Sequence, residues 1–525
     1  MKLTMVALNA HFMHTNLAIR QILPTLSEFD VRFYEAHINL PYHELLERIA
    51  EGAPDVVAFS CYIWNSELVL RLCRALRLAL PDVKIVLAGP EVAYRDAPIE
   101  QADYVLRGEG ERSLAPLLQD LAAGRSPDLR MPEPMDPSDW TDPYADGIEG
   151  LEKRILYIET SRGCPFRCQF CLSSLSRGVR ALPAGEATRR LTFLADRGAQ
   201  LIKLVDRTFN FDAARANEIW AALIDHAQKT GYAGTYHFEI GAQLIDQEAI
   251  DLLARAPKGL FQFEIGVQSS DEVVLSHVSR SAPFARIADA VRKLAAAGNI
   301  HLHLDLIAGM PGDTLQSFES SFDDVFQLPA EQLQLGFLKL LHGSPLRRDA
   351  QMHGLTFDPT APYEVICSKE MTFSELCHLK DVERVLDWFH NSGRYQNAMR
   401  WLLRDRAPFK LLSGMAKDFR EKGVFDCERA EKARAHALLD TFDDPVLRSL
   451  IAHDLLSAGR RRDLPEALQF QEDEQQRALL RSRYHPVRGQ SANRYPLDVL
   501  HFERTGELLM KETQVLYGAD GAERI

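Results

Sequence analysis

Two series of short apolar segments, each separated by helical segments, restrict the folds open to this chain more than any other feature does. In residues 1 to about 125 the apolar segments are continuous rather than alternating, as expected for strands covered on both faces. They read "KLTMVALN", "DVRFYEA", "DVVAFSCY" and "KIVLAGP". Repeated strand–helix units predict a doubly wound parallel sheet of the Rossmann-like type, with its ligand site at the carboxyl ends of the strands.

The second series begins near residue 155 and contains six predicted strands. These span residues 155–160, 201–205, 235–240, 260–267, 301–307 and 333–340. Six strand–helix units are consistent with a full or partial (β/α) barrel, whose active site lies at its carboxyl-terminal mouth.

The remaining segments complete the predicted organisation. Residues 126–150 are rich in Pro, Asp and Gly, which is typical of a linker. After about residue 370 the strand signal fades and helical stretches dominate, while the tail from about 475 suggests a small mixed element. We therefore predict an α/β chain with a Rossmann-like domain over 1–125, a linker over 126–150, a barrel over 151–365 and a mainly helical domain over 366–525.

Composition narrows the class of protein. A chain of 525 residues is too long for a single hydrophobic core, and its net charge of −13 argues against a nucleic-acid partner. No apolar stretch approaches the ~18 residues of a membrane span, and the first residues resemble a strand rather than a signal peptide. We expect a cytoplasmic protein without a membrane partner, whose eight cysteines form no disulfide framework.

Three of those cysteines lie close together in "GCPFRCQFC". Cys164, Cys168 and Cys171 follow the spacing C-x3-C-x2-C just past the first barrel strand. Structural zinc sites use four ligands, and no fourth cysteine lies nearby. Three thiolates can hold three irons of a [4Fe–4S] cluster and leave the fourth iron open for chemistry. An accidental cluster, or a zinc site that borrows a histidine, remains open at this point.

This cysteine spacing, with Phe170 just before the third cysteine, resembles that of radical S-adenosylmethionine (SAM) enzymes. The resemblance implies that Cys164, Cys168 and Cys171 hold a [4Fe–4S] cluster whose open iron chelates SAM. It also implies reductive cleavage of a C–S bond of SAM, with an electron donor such as flavodoxin or ferredoxin.

Stretches at the ends of later strands resemble the SAM-contacting regions of that family. They are "LVDRTFN", "FEIG" at 238–241, "FEIGVQS" at 263–269 and "LDLIAGMPGDT" at 304–314. The residues that they nominate for binding the cofactor are Asp206, Arg207, Glu239, Glu264, Gln268 and Gly309. The alternative for each is a residue that caps a helix or pairs locally.

The N-terminal segment resembles the cobalamin-binding-like module that precedes many radical SAM domains. The resemblance lies in "LNAHFMHTNLA", "SCYIWN", "LAGPEV" and "LRGEGE", where Gly89, Gly108 and Gly110 close strand-end loops. The Asp-x-His-x-x-Gly motif of an axial histidine is absent, and neither His14 nor His37 fits it. Cobalamin would therefore bind without a protein imidazole, unless the domain has lost its cofactor.

The stretches "FHNSGRY" and "LHFERT" resemble a subgroup of these proteins with a C-terminal domain of unknown function.

The resemblance as a whole favours a transferase that moves a methyl group from SAM, through cobalamin, to a small molecule. A second possibility is transfer of the 3-amino-3-carboxypropyl group of SAM to a soft acceptor such as trivalent arsenic, as in arsinothricin-type biosynthesis. The spare thiols of Cys61, Cys367 and Cys377 could hold such an acceptor, or could simply pack. A non-enzymatic Fe–S redox protein and a zinc-stapled binding module also remain open.

Overall fold

A computed structural model describes residues 1–95, 97–176, 178–427, 431–460, 464–468, 491–518 and 521–524. Its contacts divide the chain into two compact units. The first comprises residues 1–317, 328–330 and 336–372, and the second comprises residues 318–327, 331–335 and 373–525. The first unit therefore contains nearly all of the two strand–helix series.

The N-terminal sheet consists of five parallel strands in the order β2-β1-β3-β4-β5. The strands are β1 (Lys2–Asn9), β2 (Asp30–His37), β3 (Val56–Ser60), β4 (Lys84–Ala88) and β5 (Tyr104–Val105). The helices are α1 (Leu17–Ile22), α2 (Tyr42–Ala50), α3 (Ser66–Ala79), α4 (Pro90–Ala93) and α5 (Gly110–Ala122). One apolar core lies between the sheet and α2 and α3, and the other between the sheet and α1 and α5. The predicted Rossmann-like sheet, covered on both faces, is confirmed.

The strand order reverses between β1 and β3, and ligands of such sheets bind at the carboxyl ends of the strands beside that point. Strand β4, the neighbour of β3, is followed by Gly89, which has a φ of +111°. A Cβ at this position would lie 2.5 Å from the Cys61 carbonyl oxygen. Only glycine lets the two strand ends approach so closely.

The central sheet has six strands in the order β13-β12-β11-β10-β9-β6, and they follow one another along the chain. The strands of this region are β6 (Ile155–Ile158), β7 (Ser161–Arg162), β8 (Arg180–Ala181), β9 (Leu201–Leu204), β10 (Thr235–Glu239), β11 (Phe261–Gln268), β12 (His301–Ala308) and β13 (Gln332–Phe337). Strands β7 and β8 form a short separate antiparallel pair. The helices are α6 (Ala184–Asp196), α7 (Ala213–Thr230), α8 (Gln247–Leu253), α9 (Glu272–His277), α10 (Phe284–Ala295) and α11 (Leu315–Phe326). All six predicted strands are confirmed, in a partial barrel.

The two faces of this sheet differ in chemistry. One face is apolar and covered by helices, as where Phe238 packs edge-on against Trp220 of α7. The inner face is polar, because Tyr157, Lys203 and His237 lie in register on three neighbouring strands. A packed (β/α) barrel has an apolar interior, so this polar inner face indicates an interior that receives a ligand.

The predicted linker is packed rather than loose. It contains one 3₁₀ turn, Pro137–Asp139, and buries Trp140, Tyr144 and Ile148. The Tyr144 hydroxyl donates to the Tyr157 carbonyl oxygen over 2.9 Å. After the central sheet the first unit adds α12 (Pro345–Arg348) and an antiparallel pair, β14 (Thr356–Phe357) and β15 (Val365–Cys367).

The second unit is mainly helical, as predicted. Its helices are α13 (Phe373–Leu386), α14 (Gln396–Leu403), α15 (Pro408–Glu421), α16 (Val424–Cys427), α17 (Glu431–Thr441), α18 (Pro445–Ser457) and α19 (Val499–Thr505). The first part of the tail, for which the sequence suggested a mixed element, lies outside the described residues up to 490. From 491 onward the strands β16 (Ser491–Tyr495), β17 (Thr513–Gly518) and β18 (Gly521–Arg524) form an antiparallel sheet. Among the described residues, no helix has both the length and the apolar character needed to cross a bilayer.

Candidate active site

A glycine-dependent loop carries the three cysteines past the first strand of the central sheet. Gly163 has a φ of +100°, and a Cβ there would lie 2.2 Å from the Gly178 carbonyl oxygen, so the turn requires glycine. The loop places Cys164, Cys168 and Cys171 on the wall of one cavity of about 200 Å³. The three thiols therefore face a common space.

A guanidinium group lies beside the most buried of these thiols. Arg280 approaches the Cys168 sulfur to 3.5 Å and also donates to the Gly266 carbonyl oxygen. Burial raises the pKa of the Cys168 thiol, and the charge of Arg280 opposes that rise. A fixed cation next to sulfur favours the thiolate, which is the form that binds metals.

Four of the six residues predicted to bind the cofactor line the cysteine cavity. They are Arg207, Glu239, Glu264 and Gln268. Arg207 lies 4.0 Å from Glu239. Burial raises the pKa of Glu239 to about 7, although the charge of Arg207 opposes the rise.

Glu264 is a carboxylate of the cavity that has two close basic partners. Its Oε2 lies 3.3 Å from Lys203 Nζ and 3.3 Å from His237 Nε2. Burial favours the protonated form, but these two partners outweigh burial and lower the pKa of Glu264 to about 2. The neighbouring Glu239, in register with it, has a raised pKa. One cavity thus holds two carboxyl groups with different affinities for a proton, an arrangement common in active sites.

Gln268 reaches the cavity through unusual backbone geometry. It has a φ of +71° and lies at an irregularity in the pairing of β11 with β12. A Cβ on Gly266 would lie 2.2 Å from Gln268 Nε2, so the glycine makes room for this side chain. The Gln268 Oε1 atom is buried and has no hydrogen-bond partner among the described residues. Backbone strain combined with a buried free acceptor is typical of a ligand-binding position.

The other two predicted residues do not line the cavity. Asp206 is fully buried and accepts hydrogen bonds from Thr160 N at 2.8 Å, Thr160 Oγ1 at 2.6 Å and Ser161 Oγ at 2.6 Å. It therefore pairs locally and fixes the segment that leads into the cysteine loop. Gly309, with a φ of +83°, turns the chain after β12 and does not line the cavity either.

Two charged residues that line the cavity, Arg280 and Asp305, were not nominated from the sequence. Arg280 follows α9, where nothing in the local sequence signals a role. Asp305 belongs to the quoted stretch "LDLIAGMPGDT", and its alternation with His303 on β12 was an available signal. Its Oδ1 lies 3.3 Å from His303 Nε2, and burial raises the pKa of Asp305. The polar inner face of the sheet thus continues into the cavity.

A second and larger cavity, of about 700 Å³, lies at the carboxyl ends of the N-terminal strands. Part of its wall comes from Ser60 at the end of β3, Gly89 after β4 and Gly108 after β5. Further parts come from α1, from the start of α5, from the linker and from the segments around the cysteine loop. Ser173 and Arg207 line both cavities, so the two spaces share a wall.

Family models match three parts of the chain. The B12 binding domain matches residues 3–118, and the radical SAM superfamily matches residues 158–325. The chain combines a B12-binding domain with a radical SAM domain. A protein family of unknown function, DUF4080, matches residues 351–491. The resemblance to radical SAM enzymes, drawn from the cysteine spacing, is confirmed.

Curated relatives match this chain over part of their length. It is 25% identical over 399 residues to the cobalamin-dependent radical SAM methyltransferase TokK of Streptomyces tokunonensis, covering 65% of this chain and 56% of TokK. It is 24% identical over 348 residues to the 2-(S-pantetheinyl)-carbapenam-3-carboxylate methyltransferase of Streptantibioticus cattleyicolor, covering 57% of this chain and 49% of that protein. The chain thus spans about half the length of these relatives.

A solved structure shares the fold over most of the chain. The cobalamin-dependent S-adenosylmethionine radical enzyme OxsB, with aqua-cobalamin bound, aligns with a TM-score of 0.61 at 14% identity. The alignment covers 91% of this chain and 82% of OxsB. At this identity the likeness concerns the fold.

The cysteine cavity fits the [4Fe–4S] cluster that the radical SAM domain implies. Its three thiols are soft ligands of the kind that hold iron–sulfur clusters. They share the cavity without converging on one point, and within the described residues no group of three or more His, Cys, Asp or Glu side chains could hold a single metal ion.

The larger cavity fits the cobalamin that the B12-binding domain implies. Its volume is within the range of cofactor sites, and its glycines allow close approach at the strand ends. No histidine is found among the described residues that line it. His14 lies instead 2.7 Å from the Tyr157 hydroxyl, so its imidazole is engaged elsewhere. This agrees with the missing axial-histidine motif; binding without a protein imidazole stays a prediction.

Proposed function

We propose that this chain is a radical SAM methyltransferase that uses cobalamin to methylate a small molecule. The observation that carries the proposal is the wall shared by the two cavities, formed by Ser173 and Arg207. Group transfer requires donor and acceptor to be held next to each other. A SAM site and a corrin site on either side of one wall meet that requirement.

The residues that would hold the cluster are Cys164, Cys168 and Cys171. When bound, the cluster and cobalamin supply the electron and the carrier for the methyl group. Arg280 offsets the negative charge that three thiolates bring into a partly buried cavity. Arg280 thus supplies the compensating positive charge next to Cys168.

The proposed contacts of SAM come from other residues that line the same cavity. Glu264 is ionised at neutral pH and offers carboxylate oxygens to the amine or the ribose hydroxyls of SAM. The free Oε1 of Gln268 accepts one further hydrogen bond. Arg207 supplies a positive charge for a carboxylate and lies between the two cavities. Asp206 acts indirectly, by fixing the segment before the cysteine loop.

We also propose a substrate class and an electron donor for this protein. The polar inner face of the central sheet, with Lys203, His237 and His303, suits a polar small-molecule substrate. We further propose that an electron donor such as flavodoxin or ferredoxin reduces the cluster, and that the protein acts in the cytoplasm. The curated relatives named above are methyltransferases, which supports methyl transfer over other chemistry of SAM.

Transfer of the 3-amino-3-carboxypropyl group receives less support. Cys61 is 1% exposed and its thiol donates to the Phe59 carbonyl oxygen, which suits packing rather than capture of an acceptor. Cys367 and Cys377 are only half-buried. That reaction also needs no corrin, so it leaves the larger cavity without a role.

The test is anaerobic incubation of the reconstituted protein with SAM and a reductant, with and without hydroxocobalamin. We expect S-adenosylhomocysteine to form only when cobalamin is present, because reduced cobalamin, when bound, would supply the acceptor for the methyl group of SAM even without a substrate. The triple variant Cys164→Ala, Cys168→Ala, Cys171→Ala is the control and should give no SAM-derived product. Methylthioadenosine as the sole product, formed without cobalamin, would replace methyl transfer by the aminocarboxypropyl alternative. Absence of any SAM-derived product from a protein with a full cluster would favour an Fe–S redox protein.

A further inference from the structure

A buried ion network lies between the B12-binding domain and the cysteine loop. Arg162 contacts Glu111 at 2.5 Å, Glu159 at 2.7 Å and Glu109 at 3.2 Å. The side chain of Arg162 is 11% exposed and that of Glu111 is 7% exposed. The Arg162 guanidinium also lies 4.5 Å from the centre of the Trp140 ring. One side chain thus joins three carboxylates that come from two domains.

Arg162 and its three carboxylate partners all line the larger cavity, and the network reaches the cysteine cavity through the chain that runs from Arg162 to Cys164. Arg162 ends strand β7 and is separated from Cys164 only by Gly163, which the turn requires. Glu109 and Glu111 come from the start of α5, and both line the larger cavity. A displacement of either glutamate by a ligand in that cavity therefore acts on the strand that enters the cysteine loop.

The charges in the network are not balanced within it. Three carboxylates face two guanidinium groups, because Arg180 also contacts Glu109, at 2.5 Å. Although burial favours its protonation, Glu109 has a lowered pKa because Arg180 donates to it. Burial raises the pKa of Glu159, and Arg162 opposes that rise. The three carboxylates compete for Arg162. A ligand in the larger cavity that donates a hydrogen bond to one of them therefore weakens its ion pair with Arg162 and strengthens the others.

Only arginine can make this set of contacts. Its planar fork presents donors in several fixed directions, whereas the lysine ammonium is a compact point charge. Glu159 is reached through Nε, Glu111 through one terminal nitrogen and Glu109 through the other. A lysine at 162 would keep the charge and lose the simultaneous link between the domains.

We infer that Arg162 is a positioning residue that couples the two cavities, so that cobalamin and SAM each strengthen the binding of the other. The inference rests on the proposed function, because it assigns cobalamin to the larger cavity and SAM to the cysteine cavity. Coupling of this kind is reciprocal and is typically about 5- to 150-fold in affinity.

The test measures binding without turnover. The dissociation constant of hydroxocobalamin is determined from its absorbance, with and without saturating SAM, on protein that carries the oxidised cluster and receives no reductant. We expect SAM to tighten cobalamin binding about tenfold in the wild-type protein. In Glu111→Gln and Arg162→Lys the two dissociation constants should become equal. Glu51→Gln, which removes an exposed ion pair with Arg32 in the same domain, is the control and should keep the full effect.

Iron and sulfide content and the melting temperature are measured for each variant, so that loss of coupling is separated from loss of fold. If Arg162→Lys does not retain the cluster, the decision rests on Glu111→Gln, which leaves the cysteine loop unchanged. Coupling that persists in Glu111→Gln, or that disappears only in Arg207→Lys, would overturn the inference by assigning it to the shared wall. If cobalamin binds but SAM has no effect on it in wild type, the inference fails while the proposed function stands. If cobalamin does not bind at all, both fail.

Discussion

Gln268 is the residue at which strain and proposed function coincide most clearly. A φ of +71° is unfavourable for a residue with a side chain, at a cost of roughly 1–2 kcal/mol. The surrounding sheet holds Gln268 in this conformation. Its side-chain amide lies over Gly266, and the amide oxygen is buried with no hydrogen-bond partner among the described residues. Such positions persist where the surroundings over-determine them, and they concentrate at ligand sites.

The first residue-scale prediction separates the backbone of Gln268 from its side chain. In Gln268→Gly we expect a melting temperature close to that of wild type, because glycine adopts this φ without strain. The affinity for SAM should fall by about tenfold, since one hydrogen bond to a charged cofactor is lost. In Gln268→Ala the affinity should fall by a similar factor while the melting temperature does not exceed that of Gln268→Gly, because alanine keeps the Cβ and therefore the strain that wild type already carries. SAM affinity is measured by equilibrium dialysis; unchanged affinity in both variants would remove Gln268 from the site.

The resemblance to radical SAM enzymes nominated the three cysteines as cluster ligands, which stays a prediction, and four of the polar side chains that line the cavity. The three cysteines could be nominated because their spacing is short and local. Asp206 could not be distinguished from its neighbour Arg207, because both end the same strand. The structure directs Arg207 to the cavity and buries Asp206 against Thr160, and this difference depends on packing from a distant strand.

At the scale of elements, the turn between β12 and α11 contains a carboxyl group in an unfavourable setting. Asp313 is 1% exposed, and its Oδ1 accepts from Ser317 Oγ at 2.7 Å. Its Oδ2 is buried and has no partner within the described part of the chain. Burial raises the pKa of Asp313 to about 7, although Ser317 opposes the rise. The folded state therefore holds a proton that the unfolded state releases between about pH 4 and pH 7.

This turn gives a prediction of pH-dependent stability. Because the folded-state pKa is raised, the contribution of Asp313 is least unfavourable at low pH, and stability falls as the pH rises toward 7. Asp313→Asn, which imitates the protonated carboxyl, should gain on the order of 2–3 kcal/mol relative to wild type between about pH 5 and pH 8. Urea titrations of the cluster-free protein measure this. The same change at the exposed Asp82 is the charge-matched control. A constant difference across this pH range would show that Asp313 ionises normally in the fold.

At the scale of the whole molecule, the first unit holds two cavities that share a wall but depend on different loops. The larger cavity depends on the end of β4, where Gly89 lies against Cys61. The smaller one depends on the cysteine loop after β6. Damage to one cavity should therefore leave the structure of the other intact.

Gly89→Ala tests that independence. A Cβ at a φ of +111°, 2.5 Å from a backbone oxygen, forces the strand ends apart at a cost of about 1–3 kcal/mol. We expect retention of hydroxocobalamin after gel filtration to fall by about tenfold or more, with iron and sulfide content unchanged. Gly185→Ala, in α6 with no atom near the added Cβ, is the control. Loss of the cluster together with cobalamin would contradict separate sites.

The sequence by itself determined the order and type of the strands, the parallel sheets and the cysteine loop, because apolar patterning and short spacings are local properties. The sequence alone also shows that the Asp-x-His-x-x-Gly motif of an axial histidine is absent. Only the tertiary structure decided that Arg280 lies beside Cys168, that Asp305 joins the cavity and that Arg162 links two domains. The first and last of these contacts join residues 112 and 51 positions apart, and the position of Asp305 depends on strand register. Nothing in a local pattern specifies which distant side chains meet.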